Sequence, residues 1–283
     1  MHKRNIHQSS YDFVKLISVF PDLEPFVFTN KFKNQTIDFS HSKAVKALNT
    51  ALLFLDYGIK YWDFPDTNLC PPIPSRVDYL HYLADLIGSN STKKIKILDI
   101  GTGASCIYPI LGTKVYQWQF TGTDIDQNSL KVAQRIVDKN SLNHQIDFRF
   151  QNDKNNILIG ILNSSDKFTA SICNPPFYKS LAEANAANQR KSTNLKLTNN
   201  TRNFSGNSNE LWYKGGEKAF LHNYLYQSSL FKENCQWFTS LVSKKEHVKS
   251  MYASLKKLNA SQIKTINMEH GNKITRIVAW SFV

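Results

Sequence analysis

The densest chemistry in the chain lies in Ser171-Ile172-Cys173-Asn174-Pro175-Pro176-Phe177-Tyr178. An apolar run from Phe168 to Cys173 reads as a short buried strand, and it stops at Asn-Pro-Pro-Phe. Proline cannot continue a ladder, and it biases the residue before it away from helix. Asn174 is therefore expected at the C-terminal end of a strand, in a stiff turn, on the edge where open α/β sheets bind ligands. The exocyclic amine of a base is a poor nucleophile, because its lone pair is delocalised into the ring. The side-chain carbonyl of Asn174 and the backbone carbonyl of Pro175 are two acceptors that could hold such an NH2 and aim its lone pair at a methyl donor. Pro176 stiffens the turn, and Phe177 offers a face on which the base can stack. Positioning supplies most of the help, so no strong base is needed. A strand-to-loop breaker without chemistry is the plain alternative.

A second cluster precedes it. Ile95 to Ile100 reads as a buried parallel-type strand running into Gly101-Thr102-Gly103-Ala104-Ser105. Gly101 and Gly103 let the backbone approach a ligand closely. Asp124 ends the next strand, where a carboxylate would accept both hydroxyls of a ribose. The third glycine of the dinucleotide fingerprint is missing: Ala104, Ser105 and Cys106 follow Gly103. A pyrophosphate-bearing cofactor is therefore less favoured than S-adenosylmethionine, which has ribose and adenine but no phosphate. A tight strand-to-helix turn alone would explain the glycines by themselves.

These clusters need a scaffold, and the pattern supplies one. Helices are expected over 41–57, capped by Ser40 or Ser42 and ended by Gly58, and from Pro74 or Ser75 to Gly88. Beyond the 95–100 strand come a short helix after Ser105, a strand over 117–123 and a helix over 128–140. A strand over 145–150, a helix over 156–162 and the 168–173 strand complete this part. Then follow a helix from Glu217, a strand over 237–242, a helix over 245–258 and a terminal strand pair. The alternation argues a doubly wound parallel sheet. Residues 179–216 break it, being rich in Asn, Ser and Thr. Arg190, Lys191, Lys196 and Arg202 occur there with no acid between them, so a mobile basic loop after the Asn174 turn is expected.

The chain has 283 residues, a formal net charge of +13 and 41% hydrophobic content. That size and content support a real core, and the charge suits a polyanion, most simply nucleic acid. Aromatics interleaved with basic groups over residues 1–40 would suit single-stranded RNA, although most of those rings are expected to pack inward. No run of about 18 apolar residues occurs, so no membrane span is expected. The first residues lack an apolar stretch, so no signal peptide is expected. Four scattered cysteines with no Cys-x-x-Cys pair argue against zinc or a disulfide framework and fit a reducing cytoplasm. No metal site is expected.

The block Leu98-Asp99-Ile100-Gly101-Thr102-Gly103-Ala104-Ser105-Cys106-Ile107-Tyr108-Pro109, together with Asn174-Pro175-Pro176-Phe177, resembles a known family. It is that of the bacterial ribosomal large-subunit RNA adenine-N6-methyltransferases, whose eukaryotic relatives methylate U6 small nuclear RNA. The likeness continues in Met1 to Asn5, in Cys70 to His81, in Glu210 to Glu217 and in Ala279 to Phe282, and so covers nearly the whole chain. It implies a Rossmann-like class I methyltransferase fold: a seven-stranded, mostly parallel sheet with an antiparallel last strand, plus a small N-terminal helical extension. It divides the chain into an RNA-contacting extension over 1–90 and a methyltransferase domain over 91–283. It implies S-adenosylmethionine-dependent methylation of one adenosine of 23S ribosomal RNA, as naked RNA or an assembly intermediate. By matching positions, Arg76, Gly101, Gly103, Ser105, Asp124, Asn156 and Asn174 would hold the cofactor, with Arg76 on the methionine carboxylate. Lys3, Arg4 and the basic loop would grip RNA, since the chain ends before the extra RNA-binding region of its eukaryotic relatives. Another RNA, a DNA adenine or a glutamine amide would suit the same turn, and a non-catalytic RNA-binding protein would share the charge. Oligomeric state is left open, with a monomer as the default.

Overall fold

The computed structural model describes all residues except 89–93, 181, 184–211 and 271–272. The expected basic residues Arg190, Lys191, Lys196 and Arg202 lie outside the described residues.

The N-terminal part opens with a short turn over Ile6–Gln8, then α1 (Phe13–Val19), a 3-10 segment over Pro21–Phe26, and a hairpin of β1 (Val27–Thr29) and β2 (Gln35–Ile37). The extension is thus not purely helical. Asn30 explains the hairpin: its side-chain oxygen accepts from the Phe32 and Asn34 amides and closes the turn. Helices α2 (Ser42–Tyr57) and α3 (Ile73–Ile87) follow. Neither candidate serine caps α2. The His41 ring accepts from the Ala44 amide instead, and Ser40 is held by Asp38. Gly58 ends the helix in the left-handed conformation, as expected.

The remainder alternates: β3 (Lys96–Ile100), α4 (Ile107–Tyr116), β4 (Gln119–Asp124), α5 (Gln127–Lys139), β5 (Ile146–Phe150), β6 (Phe168–Cys173), α6 (Gly216–Leu230), β7 (Cys235–Val242), α7 (Lys245–Lys257), β8 (Gln262–His270) and β9 (Lys273–Ser281). The seven-stranded order is β5-β4-β3-β6-β7-β9-β8. Pairs among the first five are parallel, and β9 runs antiparallel to both neighbours. This is the expected sheet with its antiparallel final strand. The chain builds outward from β3 to β5 and then returns to place β6 on the other side of β3. That reversal is the topological switch point. Register pairs Ile100 with Cys173, so Gly101 and Asn174 leave the sheet side by side.

Alternation buries both faces. Ile97, Phe120, Ala170 and Trp237 pack with α2, α3, α4 and residues of α1, while Leu98, Phe168 and Phe238 pack with α6 and α7. Each fully buried large apolar side chain contributes roughly 1.5–3 kcal/mol. The first 87 residues therefore form one cover of the sheet, with no separate core. The 156–162 stretch differs from expectation. It forms turns, not a helix, because its amides are claimed by a side chain from α6, described below.

Candidate active site

The two tight strand ends open into one cleft of roughly 1110 Å³, counted with its open mouth. Arg76, Gly101, Gly103, Ser105, Asp124, Asn156, Asn174 and Pro176 all line it. Pro175 is buried behind its neighbour. Phe177 does not line the cleft. It stands 44% exposed beyond Pro176, with its ring available to an incoming partner.

The glycine loop is fastened by the sheet. The Gly101 and Thr102 amides both donate to the Thr123 carbonyl at 2.9 Å, and the Gly103 amide donates to Asp124 Oδ2 at 2.9 Å. The Asp126 amide donates to Asp124 Oδ1, also at 2.9 Å. The Asp124 carboxylate is therefore oriented by two amides where it lines the cleft. Gly101 has φ +74°, and a Cβ there would project into open space. Glycine is required for the backbone conformation, not for packing. Gly122 serves the loop from below. A Cβ on it would meet the Phe148 ring at 2.9 Å and Thr102 at 3.2 Å. The Trp62 indole N–H donates to the Ser105 carbonyl at 2.8 Å, so the N-terminal part also pins the loop.

Arg76 sits in the opening turns of α3, its guanidinium carbon 5.7 Å from the Tyr108 ring centroid. Long-range contacts fix that helix. The Tyr79 and Thr239 hydroxyls bond at 2.8 Å, and the Thr239 hydroxyl in turn donates to the Ser171 carbonyl at 2.6 Å. The N-terminal arm clasps the first turn. Asn5 donates to the Pro74 carbonyl and to Asp78, and the His2 amide also donates to Asp78. Arg4 belongs to this clasp: its guanidinium donates to Asp85 at 2.6 Å and to the His81 carbonyl at 2.7 Å. Arg4 thus anchors the arm on α3 while its side chain stays 42% exposed. Lys3 is exposed and lies outside the cleft lining.

Asp99 lies beneath the glycine loop, 1% exposed, with neither oxygen in a well-formed hydrogen bond. Burial pushes its carboxyl up to about 7. The Asp124 charge adds to the shift, while the Thr102 hydroxyl and the Arg76 charge oppose it. Cys173, at the cleft floor, is held as a neutral thiol by burial and offers no thiolate nucleophile.

On the acceptor side, Tyr178 bridges to Trp212, and the Tyr213 amide donates to the Tyr178 carbonyl at 3.0 Å. Trp212 and Tyr213 line the cleft, as do Leu69, Tyr108 and Lys154. Sequence reasoning assigned these no role. Two blocks noted as part of the resemblance, Leu98 to Pro109 and Glu210 to Glu217, contain Tyr108, Trp212 and Tyr213. Among the described residues no cluster of three or more His, Cys, Asp or Glu could hold a metal ion. No described helix is long and apolar enough to cross a membrane.

A switch-point cleft with a strand-end carboxylate, a sheet-fastened glycine loop and an Asn-Pro-Pro turn suits an α/β transferase with a nucleoside-bearing donor. A family model described as RNA methyltransferase matches residues 1–283, and the chain belongs to that family. It is 48% identical over 295 residues to ribosomal RNA large subunit methyltransferase F of Shewanella oneidensis, covering all of this chain and 81% of that protein. The corresponding protein of Shewanella woodyi is 44% identical over 325 residues, with 85% of its length covered. Among solved structures, the human METTL16 catalytic domain in complex with MAT2A 3′UTR hairpin 1 superposes with TM-score 0.87 at 30% identity, covering 100% of this chain and 96% of that one. The N-terminal domain of human METTL16 in complex with SAH gives TM-score 0.81 at 28% identity, covering 100% and 99%.

Proposed function

We propose that this enzyme methylates the N6 amine of one adenosine in 23S ribosomal RNA, with S-adenosylmethionine as donor, in the cytoplasm. One observation carries the reading: the β3–β6 register sets Gly101 and Asn174 side by side, so a donor held by the loop and an amine held by the turn meet at one point. The residues fit the donor. Asp124 presents an amide-oriented carboxylate for a ribose, Gly101 leaves its cleft face bare, and Arg76 supplies a cation on the same lining. Asn156 adds a side-chain amide to the same lining.

When bound, S-adenosylmethionine supplies an electrophilic methyl group on its sulfonium. The chain's own work is positioning. The Asn174 side-chain oxygen and the Pro175 carbonyl accept from the two N–H bonds of the target amine, which turns the nitrogen lone pair out of conjugation and into line. Phe177 stacks on the extruded base, which leaves its own stack at a cost of a few kcal/mol. The proton departs to solvent once the nitrogen has become cationic and acidic, so no buried base is required. The RNA is held by basic residues of the 1–90 part, Lys3 among them, and by the basic stretch within 179–216. The naming of the relatives supports ribosomal RNA as the substrate, and the net charge of +13 supports a polyanion.

The test is incubation with methyl-labelled S-adenosylmethionine and unmodified 23S RNA, followed by digestion to nucleosides. Label in N6-methyladenosine, absent with Asn174→Ala, is the expected result. Label elsewhere, or none while SAH still binds, would reject this substrate.

A further inference from the structure

Gln227 lies in α6, away from the cleft lining, and is 2% exposed. It carries neither charge nor nucleophile, yet its side-chain oxygen accepts from three consecutive backbone amides: Ile157 at 2.9 Å, Leu158 at 2.8 Å and Ile159 at 3.1 Å. Its nitrogen donates to Asn156 Oδ1 at 3.3 Å and to Asn223 Oδ1 at 3.1 Å. Asn223 sits one helical turn earlier, on the same face. Its own nitrogen donates to the Asn155 carbonyl at 2.7 Å and to the Tyr213 hydroxyl at 3.0 Å. Tyr213 then holds the Tyr178 carbonyl, four residues beyond Asn174. Asn156 and Ile157 line the cleft on the donor side, and Tyr213 lines it on the acceptor side. The polar edge of one helix therefore ties the two walls together.

We propose that Gln227 and Asn223 are positioning residues for methyl transfer. Gln227 shapes the 155–159 loop into the floor of the donor site, and Asn223 sets that floor relative to the acceptor turn through Tyr213. This rests on reading the cleft as an S-adenosylmethionine site. The 155–159 segment has no helix or strand to satisfy its amides. Without the Gln227 oxygen, three buried or half-buried N–H groups lose their acceptor together, and the loop must re-form to find others. Loss of Asn223 is different in kind: the loop survives on Gln227, but its link to Tyr213 is cut.

The experiment uses the full chain with Gln227→Leu, Gln227→Glu and Asn223→Ala, reading SAH affinity by calorimetry, thermal unfolding, and KM and kcat separately. Gln227→Leu is expected to weaken SAH about 10-fold or more and to raise the KM for S-adenosylmethionine in step, because an acceptor is lost to buried donors. Gln227→Glu keeps an oxygen for the three amides but loses the two N–H bonds to Asn156 and Asn223, and is expected to recover part of the SAH affinity lost in Gln227→Leu. Asn223→Ala should leave SAH affinity within about 3-fold and lower kcat about 10-fold. A general loss of stability would move none of these apart from one another. Should Gln227→Leu not fold, Gln227→Glu and Asn223→Ala still separate the two roles. Wild-type SAH affinity in Gln227→Leu, Gln227→Glu no better than Gln227→Leu, or unchanged kcat in Asn223→Ala would each overturn the proposal. Wild-type protein that binds no SAH would overturn the cofactor reading, and this proposal with it.

Discussion

The two walls of the cleft are built differently. The donor wall, 100–105 with Asp124, comes from the adjacent strands β3 and β4, and its Gly101, Thr102 and Gly103 amides are satisfied by Thr123 and Asp124 at the very end of β4. Forming the sheet forms the wall. The acceptor wall, 174–178, is a stiff proline turn whose outer end is tied, among the described residues, by the Tyr178–Trp212 bridge and the Tyr213 amide, with Phe177 left exposed. A donor molecule is small and identical at every turnover, so a rigid site binds it with little loss of freedom. The acceptor is one base of a large RNA that must be unstacked and admitted, and that side needs room at its rim.

Mutations are expected to separate by wall. The largest effect is expected at Asn174. Removing a transition-state acceptor typically costs about 10²–10³ in rate, so Asn174→Ala should lower kcat on this scale while SAH affinity, read by calorimetry, changes little. Comparable losses in both would merge the walls into one. Asp124→Ala should do the reverse: hydrogen bonds to a charged group are worth about 1.5–3 kcal/mol each, so the KM for S-adenosylmethionine should rise about 10- to 100-fold, with a smaller change in kcat at saturation.

The third expectation concerns pH, and only the donor wall carries a carboxyl of this kind. Asp99 holds its proton in the folded state up to about pH 7, whereas an unfolded aspartate releases it near 4. The folded chain thus binds the extra proton between those values, and stability falls as pH rises through that window, by at most about 1.4 kcal/mol per pH unit. Asp99→Asn should flatten this slope in denaturant melts at pH 4.5, 6 and 8. A difference between the two proteins that stays constant with pH would show that Asp99 is ionised throughout. The smallest effect is expected for Trp62→Phe, which keeps a ring but leaves the Ser105 carbonyl without its donor. A loss of about 1 kcal/mol, a few degrees in melting temperature, is expected, with a slight rise in donor KM and unchanged kcat.

Much of the site was legible in the residues. Asn174, Gly101, Gly103 and Asp124 all sit where a strand stops, and a stop is written locally: proline forbids the ladder, glycine permits the turn, and an apolar run announces the strand. The 156–162 stretch misled for the converse reason. Its apolar spacing satisfies a helix as well as a buried loop, and the deciding group, Gln227, is about 70 residues away. The Asp85 carboxylate and the His81 carbonyl that engage Arg4 lie about 80 residues away, so the sequence showed its charge but not its anchoring. The small hairpin over 27–37 was missed because three-residue strands give too short an alternation to detect.

The sequence by itself determined the alternating α/β order, the positions of the strand ends, and the residue types gathered there, since each follows from steric limits within a few residues. Only the tertiary structure decided which strand end faces which, how Trp62 and the N-terminal clasp brace the donor side, and that one edge of α6 holds both walls. Those contacts join residues tens of positions apart. Their partners are fixed by the packing of the whole sheet, which no local pattern encodes.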